Sequence, residues 1–123
     1  MSAANILLVD DSGELREITA LLLRDSGYNV IEASSGSAAL GALDANTRID
    51  LLLIDFAMPG MSGIELLQRA RAKRPEVRAL FVTGHVDYTG LGGILAEEVV
   101  VKKPFTMDQL TTAVRKALGQ SEN

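Results

Sequence analysis

Residues 51–55 read Leu-Leu-Leu-Ile-Asp, four apolar residues in a row that end in a carboxylate. A short run without polar alternation is typical of a strand buried on both faces of a parallel sheet. Four further runs of the same kind occur along the chain, at residues 6–9, 30–31, 79–82 and 99–101. The sequence therefore predicts five parallel strands.

Segments with helical spacing follow each of the five runs. Three of them carry apolar residues three or four positions apart, which places these residues on one helix face: Leu15, Ile18 and Leu22; Ile64 and Leu67; and Leu110, Val114 and Leu118. A fourth segment, residues 35–43, is rich in alanine. A fifth, residues 87–96, carries three glycines, each of which costs about 1 kcal/mol relative to alanine in a helix, so we expect a short helix there.

Two pairs of residues have the spacing of a helix capping box, Asp11 with Glu14 and Thr106 with Gln109. Strands and helices thus alternate along the whole chain. Because crossovers between parallel strands are right-handed, this alternation predicts an α/β fold, a doubly wound five-stranded parallel sheet with helices on both sides.

Composition limits the classes of function. The 123 residues correspond to one domain, which we expect to span residues 1–123 with a core at about 5–118. A net charge of -4 argues against direct nucleic-acid binding. The chain has no cysteine and one histidine, which excludes thiolate and multi-histidine metal sites. No apolar run approaches the roughly 20 residues of a membrane span, so we expect a cytoplasmic protein.

Polar residues collect where the predicted strands end. Asp10 and Asp11 follow the first run, Asp55 ends the third, Thr83 follows the fourth and Lys103 follows the fifth. Taken singly, each is better explained as a helix cap or a surface group. However, the carboxyl ends of parallel strands meet at one edge of the sheet, which is where doubly wound folds bind ligands. The combination therefore predicts a functional site.

The chemistry of this site follows from its charges. Two carboxylates about 4 Å apart repel by about 4 kcal/mol at an effective dielectric near 20. A hard divalent cation, above all Mg²⁺, would offset this repulsion. Three aspartates, Mg²⁺ and Lys103 then sum to zero charge. Such a site suits phosphate, because cations neutralise phosphoryl oxygens, Thr83 can donate a hydrogen bond and a carboxylate can attack phosphorus.

At these positions the chain resembles the response-regulator receiver domains of two-component signalling. The resemblance rests on four segments: LVDDS at 8–12, LIDFAMPGMSG at 53–63, VTG at 82–84 and KPF at 103–105. It implies a strand order of 2-1-3-4-5 with five flanking helices. The segment after Thr83 is most similar in style to receivers linked to hybrid histidine kinases, and Val100 stands where many receivers have an aromatic switch residue.

The resemblance implies a phospho-accepting domain rather than a conventional enzyme. Asp55 would accept a phosphoryl group from a histidine kinase or a histidine phosphotransfer protein. Thr83 would act as the switch hydroxyl, and Lys103, joined to Pro104 by a cis bond, would pair with the phosphoryl group. The domain would then switch a surface that binds an output protein, which the sequence does not name, and would slowly hydrolyse its own acyl phosphate.

The resemblance also implies the metal ligands. Mg²⁺, with Mn²⁺ as a substitute, would be bound by Asp10, Asp11 and Asp55, with Asp11 as a direct ligand and Asp10 acting partly through water. The backbone carbonyl of Ala57 would complete the protein ligands.

Two other functions stay open at this point. A phosphatase of the haloacid dehalogenase type also uses an aspartate after a strand, with Mg²⁺, but its usual second aspartate is replaced here by Ala57. A docking module of the same fold would not need the acidic residues at all. His85, two residues after Thr83, is either an exposed loop residue or a group that affects access to Asp55.

Overall fold

The computed structural model describes residues 3–45, 48–56, 58, 60–83 and 99–119. The strands are β1 (Asn5–Val9), β2 (Asn29–Ala33), β3 (Leu51–Asp55), β4 (Arg78–Thr83) and β5 (Val99–Lys102). The helices in these residues are α1 (Gly13–Asp25), α2 (Gly36–Ala45), α3 (Gly63–Lys73) and α4 (Met107–Ala117). All strand pairs are parallel, in the order β2-β1-β3-β4-β5. The predicted sheet and its strand order are therefore confirmed.

Four of the five predicted helices are present at the places that the sequence indicates. The remaining one, predicted over residues 87–96, lies outside the described residues. None of the four described helices combines the length and the apolar character that a membrane span requires.

The central strand β3 is buried along its whole length, and successive residues face opposite layers. Leu52 and Ile54 pack in a core cluster with residues of α2 and α3. Leu51 and Leu53 pack in a second cluster with residues of α1 and α4. Both faces of the sheet are thus covered by helices, which explains why the sequence of this strand shows no polar alternation.

Helix α1 packs on the sheet through a face that only partly matches the predicted one, because Leu22 packs against the core but Leu15 and Ile18 do not. Its buried residues are Thr19, Ala20 and Leu23. Leu15 and Ile18, which belong to the predicted apolar face, are instead 47% and 55% exposed. The helix is apolar around more than half of its circumference, so spacing alone could not distinguish the packed side from the exposed one. The fold leaves an apolar surface on α1.

The two predicted capping boxes have different outcomes. At α4 the Gln109 backbone N–H donates to Thr106 Oγ1 over 3.1 Å, and the Thr106 N–H donates to Gln109 Oε1 over 2.8 Å. The box predicted at Asp11 is wrong, because α1 has Ser12 as its N-cap, with no hydrogen bond to the Ser12 side chain. The Ser12 N–H instead donates to Asp10 Oδ1 over 2.9 Å, so a residue of the site shapes this turn.

Gly63, the first residue of α3, allows that helix to start directly against the sheet. A Cβ atom at this position would lie 3.1 Å from both Ile54 Cγ2 and Phe81 Cε1, which is closer than ordinary van der Waals contact. The loop before it turns at Gly60, whose φ of +79° is a conformation that glycine adopts without strain. This close packing positions the segment that follows Asp55.

The side chain of Thr106 caps α4, whereas that of Ser12 does not cap α1, and this predicts different effects of their replacement on stability. Thr106→Ala should lower the free energy of unfolding by about 1 kcal/mol, because an N–H of the first turn of α4 loses its side-chain acceptor. Ser12→Ala is the matched control, since the Ser12 side chain caps nothing, and it should change stability much less. Urea denaturation of both variants measures the effect, and equal losses would contradict it.

Candidate functional site

The carboxyl edge of the sheet brings together the residues that the sequence singled out. Asp10 directly follows β1, Asp55 is the last residue of β3 and Thr83 is the last residue of β4. Parallel register aligns them, because Val9 pairs with Ile54 and Asp55 pairs with Val82. All three polar side chains belong to buried residues, with exposed fractions of 6%, 8% and 1% for Asp10, Asp55 and Thr83.

Three carboxylates converge at this edge. Asp10, Asp11 and Asp55 each offer one carboxylate oxygen, and these oxygens all lie within 4.8 Å of one another. Asp11 is exposed, whereas the other two are buried. At this separation two ionised carboxylates repel by about 3 kcal/mol at an effective dielectric near 20. Clustered carboxylate oxygens are the ligands that Mg²⁺ prefers, so the residues present fit such an ion. Ala57, the fourth predicted ligand, lies outside the described residues.

Lys103 approaches the cluster from β5. Its Nζ lies 3.5 Å from Asp55 Oδ2. Its backbone N–H donates to the Thr83 carbonyl over 2.7 Å, which links the ends of β4 and β5. The Lys103–Pro104 bond is cis, as the resemblance implied, and Lys102 is exposed. The chain therefore places one ammonium group beside the buried Asp55 carboxylate and the neighbouring lysine at the surface.

The loop between β1 and α1 has anchors that the sequence analysis missed. The Asp10 N–H donates to the Ala33 carbonyl over 3.1 Å, which ties the loop to the end of β2. Arg16 Nη1 donates to the Asp10 carbonyl over 2.8 Å, and Arg16 Nε donates to Glu32 Oε1 over 3.3 Å. Arg16 and Glu32 are 16 residues apart, so no local sequence pattern could reveal the contact.

A cavity of about 500 Å³ opens beside the acidic cluster. Its walls are mostly apolar and come from α1, from the segment after β5 and from the ends of β1, β3 and β4. The residues that line it from α1 and from the segment after β5 are Leu15, Ile18, Thr19, Leu22, Lys103, Pro104 and Phe105. Asp10 and Asp55 also line it. The exposed apolar face of α1 is thus continuous with the polar site.

The remaining predicted residues have structural roles or lie outside the described residues. Val100 is partly buried and packs against the cluster that contains Phe81. Phe56 and Phe81 form an edge-to-face pair with ring centroids 6.0 Å apart. His85 lies outside the described residues, and its role stays a prediction.

The fold and the site together define a class of protein. The sheet is doubly wound, its strand order reverses between β1 and β3, and the acidic cluster lies at that reversal. The chain belongs to the response regulator receiver domain family, whose sequence model matches residues 6–115. The resemblance noted in the sequence is therefore confirmed, and the chain is a receiver domain of two-component signalling.

Individual relatives agree with this membership. The chain is 32% identical over 125 residues to sporulation initiation phosphotransferase F of Bacillus subtilis, and the alignment covers all of both proteins. It is 31% identical over 123 residues to sensor kinase CckA of Brucella abortus, covering 98% of this chain. The chain spans only 13% of the length of that kinase. The likeness to receivers within sensor kinases is confirmed by this match.

A solved structure supports the same assignment. The response regulator protein TrrA of Thermotoga maritima, solved in complex with Mg²⁺-BeF, superposes with a TM-score of 0.82 at 31% identity. The superposition covers 93% of this chain and 98% of that one. Family membership favours the receiver interpretation over the phosphatase and the docking module.

The crowded carboxylates predict that the metal-free domain is destabilised by its own site. Asp11→Asn should raise the free energy of unfolding in EDTA by about 0.5–1 kcal/mol, because it removes one repelling charge from an exposed position. The gain should shrink as salt is added, since salt screens exposed charges. Glu17→Gln on α1 removes an exposed charge outside the cluster. A similar gain in that control, or a loss in Asp11→Asn, would contradict the prediction.

Proposed function

We propose that this receiver domain accepts a phosphoryl group on Asp55 from a histidine kinase or a histidine phosphotransfer protein. The observation that carries the proposal is the position of the Asp55 carboxylate. It lies within 4.8 Å of the oxygens of Asp10 and Asp11 and 3.5 Å from Lys103 Nζ. A nucleophile, ligands for a cation and a positive charge are thus present together at the carboxyl edge of the sheet.

The transfer step exchanges one bond for another. A carboxylate oxygen of Asp55 attacks phosphorus in the donor phosphohistidine, forming an O–P bond as the P–N bond breaks. The electron pair of the broken bond stays on the imidazole nitrogen, which then takes a proton from solvent. Hydrolysis later transfers the phosphoryl group from Asp55 to water and restores the carboxylate. The domain is thus a signalling module with self-catalysed chemistry.

Lys103 and Thr83 respond to the new charge. Phosphorylation changes the charge at Asp55 from -1 to about -2. The Lys103 ammonium, already 3.5 Å from Asp55 Oδ2, then pairs with a phosphoryl oxygen. Thr83 is the last residue of the neighbouring strand β4, and its hydroxyl donates a hydrogen bond to a second phosphoryl oxygen. Because the Lys103 N–H binds the Thr83 carbonyl, the two residues move as one unit and change the protein-binding surface that an output protein reads.

The acidic cluster holds the metal ion in this proposal. The side chains of Asp10, Asp11 and Asp55, together with the carbonyl of Ala57, would hold Mg²⁺, or Mn²⁺ in its place. When bound, the ion neutralises phosphoryl oxygens and so lowers the repulsion between the donor phosphate and the attacking carboxylate.

The phosphodonor protein docks on the apolar face of α1 and on the segment after β5. A phosphohistidine can reach Asp55 only if its protein covers this edge of the sheet. The surface next to Asp55 is the cavity that Leu15, Ile18, Leu22 and Phe105 line. Burial of exposed leucine and isoleucine provides binding free energy, whereas the polar site alone provides little.

We take residues 1–123 as a single receiver domain. It works in the cytoplasm, with proteins as its partners.

The acceptor is tested by mass spectrometry. Acetyl phosphate with Mg²⁺ should add a single phosphoryl group to the wild-type chain, and Asp55→Asn should abolish the addition because an amide is not a nucleophile for this step. Asp108→Asn, which changes an exposed aspartate on α4, should be labelled like the wild type. Undiminished labelling of Asp55→Asn would refute the assignment of the acceptor.

The docking surface is tested by comparing two donors. A Leu15→Ser/Ile18→Ser double variant should accept phosphate from a phosphorylated histidine kinase at least about tenfold more slowly, since truncation of a central apolar contact costs more than 1 kcal/mol of binding. Its labelling by acetyl phosphate should be unchanged, because that small donor needs no docking surface.

Leu21→Ser is the control for this test. Leu21 is exposed on the same helix but does not line the cavity, so its replacement should slow the transfer clearly less. Equal transfer rates from the kinase to the double variant and to the wild type would contradict docking at this face. A cognate kinase is found by phosphotransfer profiling against the histidine kinases of the source genome.

A further inference from the structure

We propose that Arg16 is a positioning residue for the metal site, which it serves by fixing the backbone that carries Asp10 and Asp11. The proposal rests on the Mg²⁺ site of the proposed function and adds a residue outside the acidic cluster to it. Arg16 is the fourth residue of α1, and Asp10 and Asp11 lie in the loop before that helix.

The geometry assigns this role to the guanidinium group. Arg16 Nη1 donates to the Asp10 carbonyl over 2.8 Å, and Arg16 Nε lies 3.3 Å from Glu32 Oε1. Glu32 lies on β2, where it pairs with Leu8 of β1. The planar fork of arginine thus joins the β1–α1 loop to the neighbouring strand through two donors of one rigid group.

The contact completes a set of anchors around Asp10. Its N–H binds the Ala33 carbonyl, its Oδ1 accepts the Ser12 N–H and its carbonyl accepts Arg16. These anchors come from β2, from the loop itself and from α1. The next residue, Asp11, is exposed. Among the residues that the structure describes, the Asp11 side chain has no hydrogen-bond or ion-pair partner, so its placement depends on the backbone that Asp10 anchors.

Loss of the Arg16 charge and loss of its positioning effect should change the Mg²⁺ affinity in opposite directions, which makes the role testable. A cation close to a cation site weakens metal binding by Coulomb repulsion, so loss of the Arg16 charge alone would tighten Mg²⁺ binding. Loss of a residue that orients metal ligands weakens binding, commonly by about 10-fold or more. The ion pair with Glu32 is partly exposed, so it contributes little to stability. Its effect is to orient the Arg16 guanidinium group towards the Asp10 carbonyl.

Arg24 provides a matched control on the same helix. Its Nη1 lies 3.4 Å from Glu32 Oε2, and its Nη2 donates to the Val30 carbonyl over 2.9 Å. It therefore has the same charge and the same acidic partner as Arg16, but it binds the carbonyl of a strand residue instead of Asp10. Replacement of Arg24 removes the charge without removing the anchor of the loop.

The experiment measures Mg²⁺ affinity by isothermal titration calorimetry on the full chain as wild type, Arg16→Ala, Arg16→Lys and Arg24→Ala. Arg16→Ala should bind Mg²⁺ about tenfold more weakly. Arg24→Ala should bind it no more weakly than the wild type. Arg16→Lys keeps the charge but loses the fork, so it should fall between wild type and Arg16→Ala. Urea denaturation without metal shows that each variant is folded under the titration conditions.

The outcomes separate the two proposals. If the wild type binds Mg²⁺ and Arg16→Ala binds it equally well or more tightly, the role of Arg16 is overturned. The metal site of the proposed function then stays intact. Equal weakening in Arg24→Ala would also overturn it, because the effect would then follow Glu32 rather than the loop. An absence of Mg²⁺ binding in the wild type would overturn the metal site of the proposed function and the role of Arg16 with it.

Discussion

Burial of β3 on both faces is the constraint on which the rest of this structure depends. β3 is the central strand of the sheet, and its neighbours β1 and β4 pair with it in parallel. Parallel pairing then brings the carboxyl ends of three strands to one edge. The strand ends in Asp55, and the same register places Asp10 and Thr83 beside it. The site is thus a consequence of how the core packs.

The site works against the stability of the domain that holds it. Oxygens of three carboxylates lie within 4.8 Å of one another, and two of these residues are buried, so their negative charges repel one another. The fold holds this arrangement by tying the backbone, and Lys103 offsets part of the negative charge. Backbone hydrogen bonds join Asp10 to Ala33 and Lys103 to Thr83. In the proposed function, a cation and a phosphoryl group would complete this preformed site instead of creating it.

Much of the fold was predictable because two strong patterns agree with it. Continuous apolar runs identified all five strands, and helical spacing identified the four described helices. The face by which α1 packs was not predictable, because the helix is apolar at Leu15 and Ile18 as well as at Ala20 and Leu23. Only the position of the neighbouring strand decides which of these faces is buried. The exposed face lies beside Asp55, on the surface where the proposed phosphodonor protein would dock.

The sequence by itself determined the fold class, the family and the five polar residues of the site. It could do so because strand burial and strand ends are local properties that a short run of residues expresses. Only the tertiary structure decided that Arg16 reaches the Asp10 carbonyl while it pairs with Glu32 on another strand. It also decided that the apolar face of α1 adjoins the acidic cluster. Both depend on the distance and orientation between elements far apart in the chain, which no local pattern of residues encodes.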